Sequence, residues 1–270
     1  METFCWNFAR PLVMGILNVT PDSFSDGGRC SDVANAVARA RQMASEGADI
    51  IDVGGESTRP GASTVSSAEE LQRVLPVIEQ ISDLLVSVDT TKAVVAERAL
   101  VAGARIVNDI SALRQDARML PVVRDFGAGV VLMHMQGTAA TMQQNPQYAD
   151  VVQEVRGFLS ERIEFALAGG IKKTQIAVDP GLGFGKSVEH NRQLVAGLEQ
   201  FATLGCPMLV GASQKSFIGQ LLSRPVCERL PGSLAVVAWA VMHGAKIVRV
   251  HNVAETVDVV RMIAALRQIG

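Results

Sequence analysis

A set of charged and amide side chains recurs along the chain, each at or just after the end of a short apolar run. Asn18 is the first. Asp52 follows, with Glu56, Ser57, Thr58 and Arg59 behind it. Then come Asp89, Asn108 with Asp109, His134 and Asp179. The last are Ser213, Gln214, Lys215 and Ser216, then Arg249 and His251. Their types sort by position. Asp89, Asn108 and Asp179 are acceptors and amides, a set that meets the amino-amide edge of a flat heterocycle. Lys215, Ser216, Arg249, His251 and Arg59 are cations and a hydroxyl, which hold a multiply charged phosphate by charge-assisted hydrogen bonds. Together they suit a heterocycle that carries a phosphate leaving group.

Each residue also has a plainer reading. An Asp that ends a strand is often a helix cap, and Asp52 and Asp109 suit structural bonds to loop amides. His134 alone suits a packed position, and His190 and His243 suit the surface of helices. The ensemble is what points to a site, because every run delivers a polar group.

The elements that must position these residues form one alternating pattern. Strands are expected over 12–19, 50–54, 84–89, 105–110, 130–134, 175–179, 208–212 and 246–251. Amphipathic helices are expected between them, including 32–46, 67–81, 151–168 and 189–201, with a last helix over 254–269. Ser67, with Glu69 and Glu70 behind it, marks a helix start. Runs such as "IIDV", "VVLM" and "IVRV" suit strands covered on both faces, as in a parallel sheet. Eight such units in 270 residues predict a single-domain α/β fold, a closed (β/α)8 barrel spanning 1–270. No G-x-G-x-x-G follows the first strand, which disfavours a dinucleotide fold. In a barrel the polar strand ends converge on one rim, and the loops after strands seven and eight commonly bind phosphate.

Composition narrows the partners. A net charge of −2 disfavours a general nucleic-acid or membrane surface, so anion binding must be local. The apolar run 234–242 is too short to span a bilayer. Cys5, Cys30, Cys206 and Cys227 lack metal-type spacing and read as reduced thiols. A cytoplasmic enzyme of small-molecule substrates is expected, with neither nucleic acid nor membrane as partner.

The chain resembles bacterial dihydropteroate synthase from Pro11 to the last helix. The resemblance is carried in order by "GILNVTPDSFSDGG" (15–28), "DVGGESTRPGA" (52–62), "SVDT" (87–90), "VNDIS" (107–111), "LMHMQG" (132–137), "DPGLGFGK" (179–186) and "RVH" (249–251). It implies a transferase of folate biosynthesis, the target of sulfonamides. That enzyme joins a dihydropterin methyl pyrophosphate to p-aminobenzoate under two mobile loops and releases pyrophosphate. It also implies roles by residue. Asp89, Asn108, Met133, Asp179 and Lys215 hold the pterin. Asn18 stands by a Mg²⁺-bound pyrophosphate whose oxygens meet Arg59, Arg249 and His251. Thr58, Arg59, Phe184 and Ser216 line the p-aminobenzoate side. Asp89, Lys215, Arg249 and His251 act in the chemistry. A homodimer through the late helices is implied as well. One departure stands out: the family's Ser-Arg-Lys-Ser after the seventh strand reads Ser213-Gln214-Lys215-Ser216 here. Two rivals share parts of this pattern, a pterin-binding methyltransferase barrel and a non-catalytic paralogue. The first needs no pyrophosphate clamp.

Overall fold

Eight parallel strands close on themselves in chain order. They are β1 (Leu12–Asn18), β2 (Ile50–Gly54), β3 (Val86–Asp89), β4 (Ile106–Asp109), β5 (Gly129–Met133), β6 (Ile176–Asp179), β7 (Met208–Val210) and β8 (Ala245–Val250). The structure is a computed structural model that describes residues 2–20, 28–57, 65–137 and 141–267. The closing seam pairs Val13 of β1 with Val248 of β8. The helices outside the barrel are α1 (Gly28–Ser45), α2 (Ser67–Gln80), α3 (Ala93–Val101), α4 (Met119–Phe126), α5 (Val151–Ala168), α6 (Val188–Ala196), α7 (Ser216–Leu222), α8 (Leu230–Met242) and α9 (Val253–Arg267). The expected (β/α)8 barrel is therefore the observed fold. Every residue of β2 and β5 is buried, which explains their unbroken apolar character.

α2 starts at Ser67, as expected, and its cap is Ser66, whose hydroxyl accepts from the Glu69 amide at 3.2 Å. Two other elements differ from expectation, each for a local reason. The helix expected over 189–201 stops at Ala196, and a 3-10 segment, Leu198–Leu204, continues after Gly197. Glycine is a poor helix former, and this one follows the last helical turn. The seventh unit carries two helices, α7 and α8, because Ser223 turns the chain in a left-handed conformation (φ 54°) and Pro225 follows.

The interior of the barrel explains where the polar residues go. Met14, Ile50, Ile106, Val131, Ala177, Leu209 and Ile247 form one buried cluster, with Leu85 packed against it. Trp6, Phe4 and Phe8 join this cluster from the chain's start, and the Trp6 indole donates to the Gln175 carbonyl at 2.9 Å. Successive strand residues alternate faces, so two residues further on the same inner face continues. There the residues are Ile16, Asp52, Ser87, Asn108, Met133, Asp179, Gly211 and Arg249, most of them polar. One end of the barrel is thus apolar and the other polar.

Candidate active site

Sheet register brings the middle of the site together. Asn18 pairs with Gly54, Gly54 with Asp89, and Asp89 with Asn108, at one level around the rim. Arg249, entering from β8, sits across them. Its Nε donates to Asp52 Oδ2 at 2.6 Å and an Nη to Asp89 Oδ2 at 2.6 Å. Asn108 Nδ2 donates to the same Asp52 oxygen at 3.0 Å. Asp52 Oδ1 and Ser87 Oγ, both buried, have no protein partner among the described residues.

This crowding of acids in a dry place shifts the titration of Asp89. Burial pushes Asp89 up to about 7, opposed by Arg249 and reinforced by Asp52. Burial works against the charge on Arg249 too, yet Asp52 and Asp89 hold it above the ordinary arginine value. The floor is one mutually dependent charge network.

The second part of the site is set by β6 and the chain after β7. Asp179 turns one oxygen back to accept the Gly181 amide at 2.7 Å, and burial raises its pKa. Lys215 lies with its ammonium 4.1 Å from the centre of the Phe184 ring, a cation–π contact. Burial and then Arg249 lower Lys215 to about 8, against the pull of Asp179 and Asp89. Met133 and Phe184 share a small apolar cluster with Ile110, Met135 and Met142. That cluster supplies a flat, soft wall beside the acids.

At the rim, His251 Nδ1 lies 3.0 Å from Ser213 Oγ, which also takes the His251 backbone N–H at 3.3 Å. A serine engaged in this way braces the histidine rather than serving as a nucleophile. Ser216 opens α7 and borders a cleft of about 410 Å³ walled by Gln143, Asn145, Lys186, Asn191 and Gln220. Gln214 adopts a left-handed conformation (φ 58°), its N–H on Ser233 Oγ at 3.0 Å and its carbonyl taking Arg229 at 3.1 Å. Thr58 and Arg59 lie outside the described residues, as does most of the polar stretch between Thr20 and Gly28.

The expected Mg²⁺ can be tested against these side chains. A Cβ on Gly54 would stand 3.8 Å from Asn18 Oδ1 and 3.8 Å from Asp89 Oδ2, so glycine keeps open the space between two oxygen donors. Among the described residues there is no group of three His, Cys, Asp or Glu able to hold a metal unaided. One amide oxygen and an open approach suit Mg²⁺, which keeps its waters and is commonly carried by substrate phosphates.

Residues 14–251 match the family described as pterin binding enzyme. The chain is 50% identical over 262 residues to a dihydropteroate synthase of Escherichia coli K12, covering 96% of this chain and 93% of that protein. The chain belongs to the dihydropteroate synthases. The fold agrees with a Yersinia pestis dihydropteroate synthase solved with a sulfonamide drug, at a TM-score of 0.92 and 45% identity, covering 99% of each chain. It agrees equally with a Xanthomonas albilineans dihydropteroate synthase solved with 4-aminobenzoic acid, at a TM-score of 0.92 and 48% identity, covering 97% of this chain and 95% of the other. The family description names pterin binding alone, and it is the synthase relatives that separate this chain from a methyltransferase barrel.

Several residues of this synthase site were not assigned from sequence. Asp52 stands among the polar strand ends without an assigned role, and of its two readings the loop-amide one does not hold: it pairs with Arg249 and Asn108 inside the barrel. Its position two residues after Ile50, on the inner face, was the available signal. Lys186 is buried and bonded to His134, a partner that nothing in its local sequence indicates. The structural readings of Asp109 and His134 hold. Asp109 accepts the Ser111 and Leu113 amides, each at 2.8 Å, and His134 is packed edge-on to Phe158.

Proposed function

We propose that this synthase joins a dihydropterin bearing a methyl pyrophosphate to p-aminobenzoate and releases pyrophosphate. The observation that carries this reading is the joining of an acidic, amide-bearing floor to a cationic flank through Arg249, in one barrel mouth. Asp179 accepts from the pterin's amino and ring N–H groups with the oxygen left after its Gly181 bond. Asn108 and Lys215 complete the edge, and Met133 packs on the ring. His251, Arg249 and Arg59 take pyrophosphate oxygens, with Asn18 beside the Mg²⁺ that, when bound, offsets leaving-group charge. Thr58, Phe184 and Ser216 line the p-aminobenzoate side.

In the proposed mechanism the bond between the pterin methyl carbon and the pyrophosphate oxygen breaks with its electron pair leaving on oxygen. The carbon becomes a pterin-methyl cation, stabilised by the nearby Asp89 carboxylate. The arylamine lone pair forms the new C–N bond, and the nitrogen then sheds one proton. An aniline nitrogen is nucleophilic as it stands, so no strong base is required.

The partner surface is read in the same way. Leu222, Trp239, Met242, Met262 and Leu266 are exposed on α7, α8 and α9, and they suit a homodimer through these helices. No described helix is long and apolar enough to cross a membrane, and we place the enzyme in the cytoplasm. Purified protein supplied with both substrates and Mg²⁺ should yield dihydropteroate and pyrophosphate in equal amounts. Absence of pyrophosphate release, together with failure to rescue a strain lacking the synthase, would sink the reading and favour a non-catalytic paralogue.

A further inference from the structure

Lys186 is a buried lysine that takes no part in the binding scheme above. Its Nζ donates to His134 Nδ1, to the Gly181 carbonyl and to the Phe184 carbonyl, each at 2.9 Å. The His134 carbonyl stands further off at 3.4 Å, so the three N–H donors of an ammonium meet three near acceptors and one distant one. His134 accepts at Nδ1, so it is the neutral ring with its proton on Nε2. Burial first, then Lys186 and Arg114, hold it neutral, with its pKa lowered to about 2.

The loop that Lys186 grips has no slack. Gly181 and Gly185 have positive φ (69° and 64°). A Cβ at Gly181 would fall 2.0 Å from the His134 carbonyl oxygen, and one at Gly185 would fall 2.7 Å from that of Gln136. The loop therefore lies flat on the exit of β5. Asn191 accepts the Gly183 amide at 2.7 Å, Gln143 donates to the Gly183 carbonyl at 2.6 Å and Tyr148 to the Gly185 carbonyl at 2.8 Å. The side chain held out by this scaffold is Phe184, whose ring carries the Lys215 ammonium.

We propose that Lys186 is a positioning residue for the second substrate. It ties the exit of β5 to the 181–186 loop, and so fixes Phe184 on the arylamine side. This rests on the reading of Phe184 given above. A side chain without N–H groups at 186 would leave His134 Nδ1 and the Phe184 carbonyl without this donor in a buried place, while the Gly181 carbonyl would keep the Phe184 amide at 3.1 Å. Burial lowers Lys186 to about 7, Asp179 opposes this and Lys215 adds to it.

The test is steady-state kinetics with each substrate varied, beside calorimetry with a pterin ligand. Lys186→Met should raise KM for p-aminobenzoate by about tenfold or more while pterin affinity moves by less than about threefold. His134→Leu, which removes one acceptor, should raise the same KM, and His134→Gln, which keeps one, should restore it to within about threefold of wild type. An unchanged KM in Lys186→Met, or an equal loss of pterin affinity, overturns the inference. If Lys186→Met yields no soluble protein, the His134 pair decides alone, and equal KM values in its two variants overturn it. An inactive wild type would instead overturn the functional reading itself.

Discussion

Arg249→Met isolates the charge network at the floor of the barrel. In the native chain the guanidinium makes two bonds of 2.6 Å, one to Asp52 and one to Asp89. The Asp52 side chain is wholly inaccessible and that of Asp89 is 10% exposed. Removing one partner of a buried ion pair costs about 3–5 kcal/mol, because the remaining charge has neither water nor counter-ion. For a chain of this length that corresponds to a fall in Tm of roughly 6–20 °C. The pH dependence gives the sharper test. Asp89 lies at about 7 with Arg249 in place, since burial outweighs the cation. Without Arg249 its folded value must rise further, while its unfolded value stays near 3.9. A raised carboxyl binds more protons folded than unfolded, so the variant gains stability as pH falls. Below the wild-type value of about 7, Asp89 is protonated in both folded proteins and contributes little to their difference. Above it, only wild type can carry the charge cheaply. The Tm gap should therefore widen as pH rises through neutrality. Thermal unfolding followed by circular dichroism at about pH 6 and about pH 8.5 measures it. A gap that is equal at the two pH values, or under about 2 °C at both, would refute the coupling of Arg249 to Asp89.

Asp179→Asn should weaken binding of a pterin ligand by about 2–4 kcal/mol, because an amide N–H would oppose a ring donor; calorimetry showing unchanged affinity would remove Asp179 from the site. Binding should be ordered, with p-aminobenzoate gaining affinity only when Mg²⁺ and pyrophosphate or the pterin substrate are present, because the proposed p-aminobenzoate side adjoins the pyrophosphate side at Arg59; equal affinity for the empty protein, measured by titration, contradicts this. Gln214→Arg should change kcat/KM for either substrate by less than about tenfold, because Ser233 and Arg229 hold the backbone there whatever the side chain; a gain of about a hundredfold would mark the chain as an impaired synthase. On the homodimer proposed above, wild type should sediment as two chains in analytical ultracentrifugation and Met262→Glu as one; a single-chain mass for wild type would overturn the proposed dimer, and an unchanged dimer mass in the variant would move the contact away from Met262.

The architecture was legible before any coordinates because its signals are local. Strand, helix and burial follow from residue periodicity over a few positions, and β2 at Ile50–Gly54 and α5 at Val151–Ala168 match their expected bounds to the residue. The polar residues at the strand ends were legible too, since a closed parallel barrel exposes one rim to ligands. Boundaries such as the break at Gly197 were less so, because a single glycine competes with the helical pattern on both sides. Pairings across the barrel were beyond reach. Arg249 and Asp52 are 197 positions apart, and Arg249 and Asp89 are 160 apart. Sequence therefore sorted Arg249 with the phosphate cations and Asp89 with the ring-binding acids. Closure of β8 onto β1 and the register of β2 with β3 put them within one hydrogen bond of each other. The grip of Lys186 on His134 arose in the same way, from a loop pressed against a neighbouring strand exit. Periodicity determines which face a side chain takes, a property of its own strand. Which partner it meets there depends on register and closure, and these are set by the packing of the whole sheet.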